Sequence, residues 1–332
     1  MPTPGADLIA ELGFERPVVQ AGMAGGVAGG ELAGAVSAAG GLGTVGMMGP
    51  GAFAAALAQA RRRAGGGPVA ANLLVPFIRQ SHVRACAEAE VALVVLHGGL
   101  SRRWVRALRS RGLRVFVTVG TPSQAVRARA DGADGLVVQG SEAGGHLVGV
   151  ESVQVALPRV LEVADGIPVL AAGGVADAGD VKRLLDLGAG AAIAGTRFLL
   201  TEESLAHPDY KRRVIEARQT LATELFGFGW PLRHRVVANA ATERWCARQP
   251  RGPRAARWAA RLSAPLGQAV PIEQLGRLAA MQRVGVPVFS PALPLRGMPG
   301  EAVDRCALYA GESAVRMHDL VPASLALERL TP

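Results

Sequence analysis

The amino-acid sequence predicts an α/β protein, a (β/α)8 TIM barrel with a smaller, mainly helical second domain. Short apolar runs alternate with helix-like segments between residues 17 and 205. The runs lack polar alternation, which is typical of parallel strands that helices bury on both faces. Eight such units favour a closed barrel over a shorter doubly wound sheet. The predicted strands are 18–21, 42–45, 69–72, 93–96, 114–119, 135–139, 168–171 and 191–194.

The segments between these strands predict helices, because most have apolar residues at helical spacing and end near Gly or Pro. The longer stretch 32–60, which includes the second predicted strand, is uncharged and long enough to cross a bilayer. Glycines and Pro50 interrupt it, so we interpret it as a buried helix–strand–helix unit and expect no membrane partner. The predicted helices are 31–39, 53–63, 84–89, 102–111, 124–130, 152–164 and 178–187.

The character of the sequence changes near residue 208. Residues 208–304 contain three of the four tryptophans and much of the arginine and proline, without strand–helix alternation. Helical amphipathicity returns over 311–330. We therefore predict a barrel made of residues 1–207 plus 305–332. Residues 208–304 are predicted to be an inserted, mainly helical domain.

Composition limits the classes of function. The net charge is +9 and the isoelectric point about 10.7, almost all of it from arginine. The most basic stretch, 233–261, carries no helix-turn-helix, zinc-finger or RNP motif, so we expect no nucleic-acid partner. Three scattered cysteines favour neither a disulfide scaffold nor a metal site. The N-terminus lacks a signal-peptide pattern, which leads us to expect a cytoplasmic protein.

The barrel prediction locates the site, because active sites of this fold lie at the carboxyl ends of the strands. The loops after strands 7 and 8, 171–174 and 195–196, are rich in glycine. Such loops commonly form a phosphate cradle, since exposed backbone N–H groups and a following helix bind anions. Glycines that merely permit tight turns would account for either loop alone; both loops together favour a phosphate site.

The segment 140–146, Gly-Ser-Glu-Ala-Gly-Gly-His, is the sharpest local feature. It places His146 on a glycine-rich, flexible loop directly after strand 6. A histidine there can titrate near neutrality or donate a hydrogen bond to an anion. A histidine that only packs the loop is the alternative. His97, after strand 4, has a weaker claim to a functional role, and the remaining histidines are predicted to be incidental or to belong to the second domain: His82, His207, His234 and His318.

The stretch 41–46 matches the G-x-G-x-x-G pattern of dinucleotide-binding proteins. In those proteins the motif follows a strand, opens a helix and precedes an acidic residue about 20 positions on. Here a helix precedes the motif, and residues 61–66 contain no acid. We therefore interpret it as the entry to strand 2.

Together, several segments in the same order along the chain resemble the nitronate monooxygenase family, formerly called 2-nitropropane dioxygenases. The resemblance implies an FMN barrel that oxidises alkyl nitronates with O2 to a carbonyl compound and nitrite, with neutral nitroalkanes as a second form of the substrate. It implies His146 as the catalytic residue beside the flavin. The segments are 21–23, 72–73, 140–146, 171–174, 195–198, 207–211 and 309–313.

The resemblance also assigns the cofactor contacts and leaves the assembly open, with a homodimer among the options. Residues of the two glycine loops would hold the FMN phosphate: Ala171, Gly173, Gly174, Gly195 and Thr196. Residues at the ends of other strands would surround the ring and ribityl chain: Ala21, Gly22, Met23, Asn72, Thr118, Gln139, Gly144 and Gly145.

Four alternatives stay open at this point. FMN-dependent enoyl-acyl-carrier-protein reductases share the Glu-Ala-Gly-Gly-His loop but use NAD(P)H, and a specialised biosynthetic flavoenzyme fits the same residues. A flavin-free, phosphate-binding lyase or isomerase would need an acid/base set, for which Glu142, His97 and His146 are the candidates. A non-catalytic basic binding protein is supported by charge alone.

Overall fold

The computed structural model describes residues 4–269, 274 and 279–332. Within this part of the chain, eight parallel strands form one sheet: β1 (Val18–Gln20), β2 (Gly43–Gly46), β3 (Val69–Leu74), β4 (Leu93–His97), β5 (Val115–Val119), β6 (Gly135–Gln139), β8 (Val169–Ala172) and β9 (Ala191–Ala194). They follow the order β1-β9-β8-β6-β5-β4-β3-β2. The backbone N–H of Gln20 donates to the carbonyl of Leu42 over 2.9 Å, which brings β1 against β2 and closes the barrel.

Helices cover the outside of this barrel. All eight strand predictions and all seven helix predictions are confirmed, with ends that differ by a few residues. The helices of the barrel are α2 (Gly30–Ala38), α3 (Pro50–Arg63), α4 (Gln80–Glu88), α5 (Arg102–Arg109), α6 (Pro122–Ala130), α7 (Val153–Ala164), α8 (Ala178–Asp186) and α9 (Thr196–Leu199).

The barrel has two apolar layers. Side chains such as Phe116, Val137 and Leu170 fill its interior, while a larger core lies between the strands and the helices. The interior layer continues into Leu8 and Leu12 of α1 (Pro4–Leu12), a helix that the sequence analysis did not predict. The N-terminal helix therefore closes the bottom of the barrel, which leaves the carboxyl ends of the strands as its open end.

The segment 208–304 contains strands as well as helices. Among its described residues lie the helices α10 (Pro208–Ile215), α11 (Ala240–Cys246), α12 (Arg254–Ala269) and α13 (Ala302–Arg305). Two strands of three residues, β10 (Leu221–Thr223) and β11 (His234–Val236), pair antiparallel, and β11 continues onto β7 (Gly145–His146) of the barrel. Strands this short carry no readable sequence period, so the prediction of a mainly helical segment missed them.

The C-terminal helix is shorter than the predicted amphipathic stretch 311–330. A 3₁₀ turn spans Glu312–Arg316, and α14 (Ala323–Leu330) begins only at Ala323. Between them Val321 pairs with Thr201 as a β-bridge, and Pro322 caps the following helix. Proline cannot donate a backbone hydrogen bond and favours an extended preceding residue, which accounts for the break.

The glycines of the stretch 41–46 serve packing. A Cβ on Gly43 would lie 1.8 Å from the carbonyl oxygen of Ala33 in α2, and one on Gly46 would lie 2.1 Å from the carbonyl oxygen of Met23. Glycine therefore lets α2 and the loop after β1 approach β2. The interpretation of this stretch as a strand is confirmed, as is the helix–strand–helix interpretation of 32–60. None of the described helices is long and apolar enough to cross a membrane.

Candidate active site

A cavity of about 580 Å³ opens at the carboxyl ends of the strands. Its walls come from the barrel loops, from residues 291–298 and from residues 309–313, and none of the described residues that line it is Asp, Glu, Lys or Arg. All but one of the predicted site residues line it: Ala21, Gly22, Met23, Asn72, Thr118, Gln139, Gly144, Gly145, His146, Gly173, Gly174, Gly195 and Thr196.

Ala171 is the exception. Its side chain is fully buried in the core between the strands and the helices, and the next residue, Ala172, lines the cavity instead. Successive side chains of a strand point to opposite faces, so a shift of one residue moves a side chain from the core into the cavity. The sequence motif could not fix that register.

One end of the cavity is built from glycine, and we call it the glycine end: Gly173, Gly174, Gly195 and Thr196. Gly173 and Gly174 have φ angles of 132° and 72°, a region that side chains other than glycine rarely adopt. A Cβ on Gly195 would make one ordinary contact, with Ala21 at 3.6 Å, and the residue lines the cavity. Loops of this form suit a single anionic group.

Residues near the C-terminus support the glycine end. The guanidinium of Arg316 donates to the carbonyl of Gly174 over 2.7 Å and also binds the buried carboxylate of Asp180. The backbone N–H of Gly311 donates to the hydroxyl of Thr196 over 2.9 Å. Ser313, which the sequence analysis did not single out as a site residue, is buried and lines the same cavity.

Three of the residues predicted to contact the cofactor also pack against, or hydrogen-bond to, other parts of the protein. A Cβ on Gly22 would lie 2.2 Å from the Cβ of Asn72, so glycine lets the loop after β1 pass over that side chain. The amide of Gln139 donates to the carbonyl of His146 over 3.2 Å and accepts from the backbone N–H of Val148 over 2.8 Å. Gln139 therefore fixes the loop that carries His146.

His146 lies in a strand rather than on a flexible loop, which corrects the sequence-based expectation. It forms β7 with Gly145 and stands opposite His234 of β11. Its carbonyl also accepts a hydrogen bond from Nε2 of His97 over 3.1 Å. Glycines do flank the segment, but Gly144 serves close packing, since its Cβ would lie 2.6 Å from the backbone nitrogen of Gly311.

Aromatic rings surround the His146 imidazole, and we call this the histidine end of the cavity. Trp230 stacks on it with ring centroids 3.8 Å apart and planes 17° apart. The rings of His234 and Tyr309 lie 5.3 and 5.4 Å away. Nε2 of His146 is buried and has no hydrogen-bond partner within the described part of the chain.

The surroundings of His146 favour its neutral form. Burial lowers the pKa of His146 well below 6.5, and the neighbouring His234 and His97 lower it further. The imidazole is therefore neutral at pH 7, with one nitrogen that can donate and one that can accept. A buried, neutral imidazole with an unused nitrogen can accept a proton from a substrate or donate to an anion.

His234 lies directly behind His146 and does not itself line the cavity. Its Nδ1 donates to the carbonyl of Leu232 over 3.0 Å, and its Nε2 accepts from the N–H of Phe226 over 3.2 Å. Both nitrogens are thus used by the neutral ring. Burial lowers the pKa of His234 to about 4, and it lowers that of His97 to about 4 as well.

Three further polar side chains of the sequence analysis accept hydrogen bonds at the starts of helices. The carboxylate of Glu142 accepts the backbone N–H of Val153 at the start of α7 and does not line the cavity. His82 accepts from the backbone of Arg79 at the start of α4, and Nδ1 of His207 accepts from Asp209 at the start of α10.

Sequence reasoning missed Trp230 and the apolar wall of the cavity, Pro291, Leu293, Leu295 and Met298. Trp230 belongs to the segment 208–304, far in sequence from the barrel loops it contacts. The one local signal is Gly98, after β4, whose Cβ would lie 2.5 Å from the indole ring. Only the folded chain reveals that this glycine makes room for a tryptophan.

The nitronate monooxygenase family model matches residues 8–81 and 75–331. The chain belongs to the nitronate monooxygenase family. It is 33% identical over 248 residues to nitronate monooxygenase of Pseudomonas aeruginosa, covering 60% of this chain and 70% of that protein. This membership makes the chain a flavin-dependent oxidoreductase and sets aside a flavin-free lyase or a non-catalytic basic protein.

Solved structures of similar proteins show the same fold. FabK of Thermotoga maritima is 26% identical with a TM-score of 0.75, over 99% of this chain and 95% of FabK. Nitroalkane oxidase of Streptomyces ansochromogenes is also 26% identical with a TM-score of 0.75, over 96% of this chain and 95% of that protein. The protein thus shares its barrel fold with FabK and with the nitroalkane oxidase.

Proposed function

We propose that this protein binds FMN and oxidises alkyl nitronates with O2 to a carbonyl compound and nitrite. It would also accept neutral nitroalkanes, for which His146 acts as the base. The observation that carries the proposal is the His146 imidazole: the residue lines the cavity, and its buried Nε2 lacks a hydrogen-bond partner among the described residues. Family membership and the likeness to a nitroalkane oxidase support the substrate class.

The glycine end fits the phosphate of FMN. Gly173, Gly174 and Gly195 leave backbone exposed where a Cβ would otherwise fill the space, and the hydroxyls of Thr196 and Ser313 lie in the same wall. This cradle suits one phosphate, and the sequence contains no Rossmann unit, which favours FMN over FAD. When bound, FMN would supply the redox chemistry.

His146 would handle the charge and the proton of the substrate. With a proton on Nε2, the neutral ring donates a hydrogen bond to an oxygen of a nitronate; with a lone pair there, it accepts the Cα proton of a nitroalkane. An anion close to the ring favours the protonated form and so opposes the effect of burial on the pKa of His146. The site is thus able to bind one substrate form and to generate it from the other.

The wall opposite the barrel suits the alkyl part of the substrate. Pro291, Leu293, Leu295 and Met298 line the cavity with apolar surface. We propose that residues 208–304, which supply these side chains and Trp230, act as the substrate or lid domain over a barrel of residues 1–207 and 305–332. Burial of apolar groups is worth about 0.8 kcal/mol per CH2, so this wall would favour longer alkyl chains.

The second candidate function is an NAD(P)H-dependent enoyl reductase. The observation that favours it is the likeness, over 99% of the chain, to FabK, which is an enoyl-acyl-carrier-protein reductase. The composition of the cavity argues against it, because none of the described lining residues is Lys or Arg. NAD(P)H carries several phosphate charges, which protein sites usually meet with cationic side chains as well as backbone.

Two measurements test the proposal. Flavin released by heat and separated by liquid chromatography is expected to be FMN; FAD or no flavin would contradict the cofactor assignment. The purified protein is then mixed without oxygen with a nitronate and, in parallel, with NADPH and NADH. We expect the nitronate to bleach the flavin absorbance rapidly after mixing. We expect NADPH and NADH to bleach it far more slowly. Fast bleaching by a nicotinamide with none by the nitronate would favour the reductase.

A further inference from the structure

Trp230 is held against His146 by the barrel itself. Its ring meets Phe77, in the loop after β3, edge-on at 5.5 Å and 87°. Gly98, after β4, has a φ of 82°, and a Cβ there would lie 2.5 Å from the indole. Trp230 is only 5% exposed. The indole is therefore fixed in place on one face of the imidazole rather than resting loosely over it.

The groups that face His146 from the elements packed around it are His97 from β4, His234 from β11 and Tyr309. Burial lowers the pKa values of both histidines to about 4 and raises that of Tyr309 well above 10. All three are neutral at pH 7. Within the described part of the chain, no carboxylate lines this cavity to stabilise an imidazolium. The protonation state of His146 thus depends on how well water is excluded from its ring and on the charge of the ligand that binds beside it.

We propose that Trp230 is the positioning residue for His146 as a base toward neutral nitroalkanes. The stacked indole fixes the plane of the imidazole and keeps water from one of its faces, so that a nitrogen stays unprotonated and correctly oriented until the substrate binds. This inference rests on the proposed function and deepens it. It also assigns a specific task in the reaction to the segment 208–304, which supplies the indole.

The step concerned is a proton transfer without a change of oxidation state. The Cα–H bond of the nitroalkane breaks, the proton passes to a nitrogen of His146, and the electron pair stays with the substrate as a nitronate. A preformed nitronate does not need this step. Correct placement of a base depends on distances of tenths of an ångström, and a displacement of about 1 Å can cost about 100-fold in rate.

The test compares Trp230→Leu, which removes the ring, with Trp230→Phe, which keeps an aromatic face. For Trp230→Leu we expect kcat/KM for the nitroalkane to fall about 10- to 100-fold. For the nitronate of the same compound we expect a loss of less than about 3-fold, because no proton is abstracted and a hydrogen bond from His146 tolerates a small misalignment better than proton transfer does. Trp230→Phe is expected to restore most of the nitroalkane activity. Trp258→Leu removes a tryptophan that is 66% exposed on α12 and serves as the control.

The pH dependence of kcat/KM for the nitroalkane is a second measurement. A loss of packing alone would not shift the acid limb of this profile. Burial is the largest cause of the lowered pKa of His146. Water admitted by Trp230→Leu opposes that cause, so the pKa of His146 should rise toward 6.5. The limb of kcat/KM for the nitroalkane should therefore move to higher pH. Titration of His146 by NMR in ¹³C-histidine-labelled protein, with His146→Asn for assignment, should show the same direction without any substrate.

Two outcomes would overturn the role of Trp230. One is an equal loss on both substrate forms at matched flavin content, and the other is a His146 titration in Trp230→Leu that coincides with that of the wild type. If the wild type oxidises neither substrate form, the proposed function fails, yet the NMR titration still decides whether Trp230 controls His146. A Trp230→Leu protein that does not fold leaves Trp230→Phe, for which an unchanged limb together with a loss of 10-fold or more on both forms would also contradict the proposal.

Discussion

The two ends of the cavity are built in opposite ways. At the glycine end, Gly173 and Gly174 present backbone to the cavity, and positive φ angles set the shape of the loop. At the histidine end, side chains form the site: His146 is enclosed by Trp230 and by the rings of His234 and Tyr309. The glycine end suits a group that stays bound, and the histidine end suits one that gains or loses a proton.

This difference predicts different responses to mutation. Backbone recognition depends on conformation, so a single added side chain can abolish it, whereas neighbouring side chains matter little. A desolvated imidazole depends on the rings around it, so changes there should alter rates and pH dependence while leaving the cofactor bound. The following predictions test that separation, beginning with the largest effect.

Gly174→Asp should empty the glycine end. The residue has a φ of 72°, which strains any side chain, and a carboxylate would repel a phosphate in the same loop. We expect flavin affinity to fall about 100-fold, since charge repulsion adds to a strain of about 1–3 kcal/mol in the bound form of the loop. The control is Gly112→Asp, at a φ of 75° with open space around its Cβ, between α5 and β5. A folded Gly174→Asp protein with a full complement of flavin would show that the phosphate lies elsewhere.

The histidine end should make the fold sensitive to acid. Burial lowers the pKa values of His97 and His234 to about 4, against 6.5 in the unfolded chain. The unfolded state therefore binds the extra protons as the pH falls, so stability is complete above about pH 6.5 and declines toward pH 4. Each ring contributes a slope of about 1.4 kcal/mol per pH unit within that window.

Urea unfolding at several pH values between 4.5 and 7.5 measures this slope. His234→Asn removes one buried imidazole and should reduce the slope by about 1.4 kcal/mol per pH unit, whatever its effect at pH 7. His318→Asn, which replaces an exposed ring, is the matched control and should leave the slope as in the wild type. A slope unchanged in His234→Asn would mean that His234 does not stay neutral in the fold.

Arg316→Met should weaken flavin binding modestly. Its guanidinium binds the carbonyl of Gly174 and the carboxylate of Asp180, and 45% of its side chain is exposed. A solvent-exposed charged hydrogen bond of this kind is worth about 1 kcal/mol, so we expect a roughly 5-fold rise in the Kd of FMN. Arg183→Met is the control, because Arg183 also pairs with Asp180, and it is Arg316 that bonds to Gly174. Equal effects of the two variants would mean that Asp180, and not the loop carbonyl, matters.

The two ends also differ in how far the sequence revealed them. The glycines of this end could be located in the sequence because the pattern is local: paired glycines directly after a buried strand are typical of a loop that presents backbone to a ligand. The sequence did not reveal that Ala172 rather than Ala171 faces the cavity, since the end of β8 has no polar alternation that fixes its register. The barrel was predictable for the same reason, as each βα unit repeats a local pattern.

The histidine end depends on contacts between distant segments, and there the sequence was insufficient. His146 was found from its glycine neighbours, but its confinement in β7 results from pairing with His234, far along the chain in a strand too short to predict. Its lowered pKa follows first from burial, which is produced by side chains from segments far apart in the sequence. Trp230 could have been suspected only by asking why Gly98 must be glycine.

The kinetics of His146→Asn test the central claim most directly, with the nitroalkane and the nitronate of one compound as substrates at matched flavin occupancy. Asparagine can still donate a hydrogen bond to an anion but cannot act as the base. We predict that FMN stays bound, that part of the activity on the nitronate remains, and that kcat/KM for the nitroalkane falls by about 10²–10⁴-fold. Equal losses on both forms would remove the base role, and unchanged kinetics on both would exclude His146 from the reaction.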